Sequence, residues 1–277
     1  MKLKIFKRNR KESIPYSILK YFSLILTAIV LIFNYRVVFA ITTNMYRDIS
    51  GYSKEYKLAK SQFEKGLKNE QYTIVLNNVN SSSTAKRVVY EFFSGNPEYF
   101  YISKVSYKKT NINQYTYYIT YMEKGFKLQE IVNDYNDRIK SIASSMNKKA
   151  SDYEKVVQIK NYIVDNFEYD YSLAIHDPYT MLLKNIGVCT AYSQLFKSLC
   201  DEMNLDCKIV LSNYDKHDWN IVKINGAWYH ADITFTDTGK QNKYFLVPDS
   251  VIYGEGHHFW SVNGGYKIAC FSYKYVI

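Results

Sequence analysis

Cys189, His217 and Asp232 are the residues of this 277-residue chain whose types and spacing could support covalent chemistry. A thiolate attacks carbonyl carbon, an imidazole carries the proton, and a carboxylate can hold that imidazole in one tautomer. Together they would open an amide through a thioester. Cys189 stands two residues after Gly187, in "NIGVCTAYSQLFKSLCDEM". Behind it apolar residues recur at Tyr192, Leu195, Phe196, Leu199, Cys200 and Met203, a helical stripe that includes Cys189 itself. The cysteine therefore falls in a first helical turn. Unpaired N–H groups and the positive end of the dipole favour a thiolate there, and the same N–H groups could hold an oxyanion.

Two strands must position the other two residues. "DWNIVKI" and "AWYHADI" are joined by Asn225-Gly226, a strong hairpin signal that sets Ile224 opposite Ala227. Counting outward places Trp219 opposite Asp232. His217 then lies on the same face, diagonal to Asp232 and within side-chain reach. If the helix stripe packs on that face, the three residues converge. Taken singly, each has a plainer reading: a core cysteine, a loop histidine, a turn-forming aspartate.

From "GVCTAYSQLF" and "HDWNIVKINGAWYHADITF", with "KYFLVPDS" and "HHFW" further on, residues 150–260 resemble the transglutaminase-like superfamily. These are papain-related cysteine acyltransferases, proteases and amidases. The resemblance implies an α+β fold with a nucleophile helix packed on an antiparallel sheet, and Cys189, His217 and Asp232 as its catalytic triad. Cleavage, deamidation and cross-linking all remain open, and no oxyanion side chain is assigned. The substrate class implied is a peptide, protein or cell-wall amide. A second reading keeps the fold without turnover, as an extracellular module that binds peptide or cell wall through a tyrosine-rich sheet.

No cofactor or metal is expected. There is no C-x-x-C pair and no EF-hand loop, and His230, His257 and His258 fit no common zinc spacing. Cys200 and Cys207, seven residues apart, could pair; Cys270 is the fourth cysteine. The net charge of +10 suggests nucleic acid only until it is located. Eight of the 36 basic residues and one of the 26 acids fall within residues 1–40, and the remaining 28 and 25 nearly cancel. No focused basic patch is left for phosphates.

Seven of those eight basic residues precede "YFSLILTAIVLIF", Tyr21 to Phe33. Residues 1–40 thus read as a signal-anchor, or as a signal peptide cleaved after Ala40. Either way the amino terminus stays inside, and the rest lies on the extracellular face of the membrane or is secreted. Residues 41–149 read as a small α+β module and 150–277 as the transglutaminase-like domain. Within the module, "QYTIVLNN" is a strand, "SSSTAKRVVYEFFSGNPE" a capped helix, and "YFYISKVSYKK" with "QYTYYITYM" a hairpin rich in the chain's 29 tyrosines. Two helices follow, the second opened by a capping box from Ser151 to Glu154.

Overall fold

The computed structural model describes residues 53–262 except 213 and 255. The basic and apolar segment over 1–40 and Cys270 lie outside the described residues. Among the described residues no helix is long and apolar enough to cross a membrane.

Ser53 caps α1 (Lys54–Lys68) by accepting from the N–H of Tyr56, which buries Tyr56, Phe63 and Leu67 on one side. After β1 (Thr73–Asn77), Ser81 caps α2 (Ser82–Gly95) in the same way. The hairpin β2 (Ile102–Asn111) and β3 (Gln114–Tyr121) completes an antiparallel sheet of order β1-β3-β2. Its tyrosines do not form an open binding surface. Tyr115, Tyr117 and Tyr121 alternate along β3 and are buried in the core under α1 and α2. Tyr117 packs edge-on to Phe63 at 5.2 Å and donates its hydroxyl to Ala85 O at 2.9 Å. Tyr118 on the other face of β3, and Tyr107 across the ladder on β2, reach solvent.

α3 (Phe126–Ser144) and α4 (Asp152–Asn166) follow. The Ser151–Glu154 capping box forms as read. Both helices bury one side in a core built around a later helix: Tyr135 and Ile139 from α3, and Val156, Ile159 and Ile163 from α4. Next, β4 (Glu168–Tyr169) pairs in parallel with β5 (Ile186–Gly187), bracketing α5 (Pro178–Lys184). α6 (Cys189–Glu202) is the central helix, and its stripe is buried throughout.

Strands β6 (Cys207–Ser212), β7 (His217–Ile224), β8 (Ala227–Ala231), β9 (Phe245–Val247) and β10 (Trp260–Val262) form one antiparallel sheet of order β10-β6-β7-β8-β9. Asn225 and Gly226 take φ of +50° and +84°, the two left-handed positions a tight turn needs, and Ile224 pairs with Ala227. The sheet is covered on both faces. Val222 and Ile224 pack under α6, while Trp219 and Ile221 pack with Tyr244, Val247 and Trp260 on the far side.

Candidate active site

Gly187 explains how Cys189 is placed. A Cβ there would sit 2.9 Å from Met181 Sδ and 3.0 Å from Ala191 Cβ, so only glycine lets α5 and α6 approach this closely. The preceding loop is held by one carboxylate. Asp170 accepts from the N–H groups of Ser172, Ala174 and Ile175, each at 2.9 Å, and from the Ser172 hydroxyl. The Ser172 hydroxyl above all, helped by those N–H groups and opposed by burial, holds the Asp170 carboxyl down at about 2. Ile175 O then takes the Val188 N–H at 2.9 Å, fixing the residue before Cys189. Val188 offers no side-chain cap to the first-turn N–H groups.

The structure brings His217 and Asp232 together: His217 Nε2 lies 2.6 Å from Asp232 Oδ2, and Cys189 is near enough to the ring to bear on its charge. With Nε2 committed to the carboxylate, Nδ1 is the ring nitrogen left for another partner. Burial opposes an imidazolium here. The charge and hydrogen bond of Asp232, then those of Cys189, outweigh it and push His217 up to about 10. Asp232 is held well below the usual carboxylate range: burial opposes its charge, but His217 and then His257 prevail.

The hairpin count places His217 and Asp232 together, but the helix comes from the other side. α6 packs on the face of Asn220, Val222 and Ile224, where Asn220 Nδ2 donates to Ser193 O at 3.0 Å. His217 faces away from it, with Trp219. Cys189 begins α6 and His217 begins β7, so the two are neighbours at the end of the sheet rather than across its face.

Two further histidines belong to this neighbourhood. His257 Nε2 lies 2.7 Å from the same Asp232 Oδ2, and both side chains are fully buried. Oδ1 of Asp232 accepts the Phe235 N–H at 2.9 Å, capping the helical turn Ile233–Phe235. Asp232 is thus also the turn former of its plainer reading. His230 accepts at Nδ1 from Trp219 Nε1 at 2.8 Å, and its Nε2 lies 2.8 Å from Asp249 Oδ1. An indole can only donate, so His230 carries its proton on Nε2. Burial pushes its pKa down and keeps it neutral. This chain fixes Trp219, which stacks on His217 at 5.6 Å.

His217, Asp232 and His257 could be read as metal ligands, since their ligand atoms lie within 4.8 Å of one another. The 2.6 and 2.7 Å separations to one carboxylate oxygen are those of shared protons. Tetrahedral zinc ligands would stand roughly 3.3 Å apart. Cys200 and Cys207 are free thiols that adjoin each other, and burial pushes the Cys200 thiol up.

Sequence reasoning missed His257 as a partner of Asp232 because its loop approaches from 25 residues away. The available signal was "HHFW". It also missed Gln194, whose buried side-chain oxygen has no partner among the described residues.

Residues 140–233 match the family model of the transglutaminase-like superfamily. No curated protein matches the chain. Among solved structures, a candidate cysteine protease from Cytophaga hutchinsonii is 14% identical over 47% of this chain and 61% of its own, with a TM-score of 0.31. A TGase is 16% identical, over 51% and 47% of the two chains, at 0.32. A candidate protease from Parabacteroides distasonis is 11% identical over 46% and 35%, at 0.29. The chain therefore spans less than two thirds of the length of each.

Proposed function

We propose that the transglutaminase-like domain carried by residues 140–233 of this chain makes it a cysteine-dependent enzyme of amide bonds, exported from the cell. The observation that supports it most is the imidazole of His217, bonded to Asp232 at 2.6 Å and raised in pKa by Asp232 first and then by the neighbouring Cys189. In this reading the Cys189 thiolate attacks the carbonyl carbon, forming a C–S bond, while first-turn N–H groups of α6 receive the oxyanion. The tetrahedral adduct collapses, the C–N bond breaks, and His217 delivers its proton to the leaving amine. His217 then takes a proton from water or from an acceptor amine, which attacks the thioester. Acid or new amide leaves, and the thiolate–imidazolium pair is restored. Asp232 keeps the Nε2 proton in place throughout.

Export is supported by the basic run before Tyr21–Phe33. The deciding experiment incubates the chain with peptide pools, with and without a primary amine donor, and reads both products and intact mass. An acyl adduct on Cys189 that disappears in Cys189→Ala is expected. Peptide binding with neither adduct nor product, at any pH from 5 to 9, would sink the enzymatic reading in favour of a binding module.

A further inference from the structure

We propose that the groove between α2 and α6, floored by β6, is a substrate subsite for a large apolar side chain next to the attacked amide of a peptide; this rests on the reading of Cys189 as nucleophile. The groove holds about 270 Å³, and its walls are Val89 and Phe93 from α2 and Ile209 and Leu211 from β6. A hollow of about 330 Å³ adjoins it, sharing Phe93, Thr190 and Gln194.

Three observations join the groove to the site. Thr190 and Asp218 line it, and they are the chain neighbours of Cys189 and His217, bonded to each other at 2.7 Å. Gln194 is only 9% exposed, lines both hollows, and keeps its Oε1 without a donor. A buried acceptor left in that state is costly, and a peptide N–H is the group that would satisfy it. The walls are aliphatic and aromatic, and the polar lining includes two acceptors, the Asp218 carboxylate and Gln194 Oε1. Such a lining takes an apolar side chain on a backbone that donates, and repels a carboxylate from Asp218. The α2 wall lies outside residues 140–233, so the amino-terminal module supplies selectivity that the matched family segment alone does not contain.

The test uses the full chain and a series of peptidyl vinyl sulfones whose residue beside the warhead is Gly, Leu, Phe or Asp. The sulfone's β-carbon bonds to the Cys189 sulfur and its α-carbon takes a proton. Labelling rates are read by mass spectrometry as ratios to labelling by iodoacetamide, which needs no subsite. Leu and Phe probes are expected to exceed Gly by about tenfold or more, with Asp slowest. Val89→Arg should erase that preference, and the milder Val89→Leu should shift it from Phe toward smaller side chains. Gln194→Leu should slow every peptide probe while leaving their order. Equal ratios for all four probes, or a preference untouched in both Val89 variants, would overturn the subsite while iodoacetamide labelling keeps the nucleophile. A Cys189 that no reagent labels overturns the nucleophile and the subsite with it.

Discussion

Asp232 satisfies three donors with two oxygens: Phe235 N–H at Oδ1, and His217 and His257 at Oδ2. Asp232→Asn cannot repeat this, because one of its two positions becomes a donor. Keeping the cap turns the NH₂ toward the histidines and drives His217 to the tautomer with its proton facing Cys189. Turnover should then fall steeply, by up to about 10⁴-fold as in serine triads, though less if the thiolate forms before substrate arrives. The pH dependence has a definite sign. His217 is raised to about 10 from 6.5, so its contribution to stability is whole below about pH 6.5 and is lost as pH climbs through about 10. The Tm penalty of Asp232→Asn should accordingly shrink between pH 6.5 and 10; a constant penalty across melts in that range would refute the charged pair. At pH 6, iodoacetamide should alkylate Cys189 well ahead of Cys200, which is 0% exposed against 9% and whose thiol burial pushes up. Similar rates, read by peptide mapping, would remove the case for an activated thiol. The His217–Asp232 pair was legible in the sequence because Asn-Gly between the strands fixes their register, and Cys189 at the start of a helix because Gly187 precedes a stripe. His257 was not, because nothing local ties its loop to Asp232.

At the scale of elements, the approach to Cys189 depends on α5 and α6 closing over Gly187. Gly187→Ala puts a methyl between Met181, which is fully buried, and Ala191. Overpacking of this kind costs about 1–3 kcal/mol, or several degrees of Tm in a unit of this size. Because the strain falls beside the first turn of α6, Cys189 alkylation should slow as well. Loss of Tm with an unchanged alkylation rate would mean that the turn is positioned by something other than this contact. The helices apart from α5 and both hairpins were readable beforehand, since stripes, serine caps and turn residues are local patterns. Which face of β7 receives α6 was not readable. Both faces are apolar, Trp219 and Ile221 on one and Val222 and Ile224 on the other, so alternation carries no direction. The tyrosines left the covered side of their sheet open for a related reason. Period-two spacing identifies a face of β3 but does not say whether α1 and α2 cover it.

For the whole molecule, the distribution of charge bears on where the proposed enzyme would work. The body of the chain is nearly neutral, and most of the excess sits ahead of Tyr21–Phe33. Positive residues flanking an apolar segment stay on the cytoplasmic side, because moving them across is unfavourable against both the bilayer and the membrane potential. Everything after Ala40 should therefore emerge outside, including the Cys189–His217 pair. That placement also bears on the thiols. An oxidising exterior favours disulfides, yet Cys189 must stay reduced to act, and its burial beside His217 at the mouth of α6 limits the approach of a second thiol. Protease added to intact cells should degrade the part of the chain that contains Cys189, whether anchored or released, while a cytoplasmic marker survives. A domain that stays whole until the cells are lysed, and is then digested, would place the enzyme inside and overturn the topology read from residues 1–40.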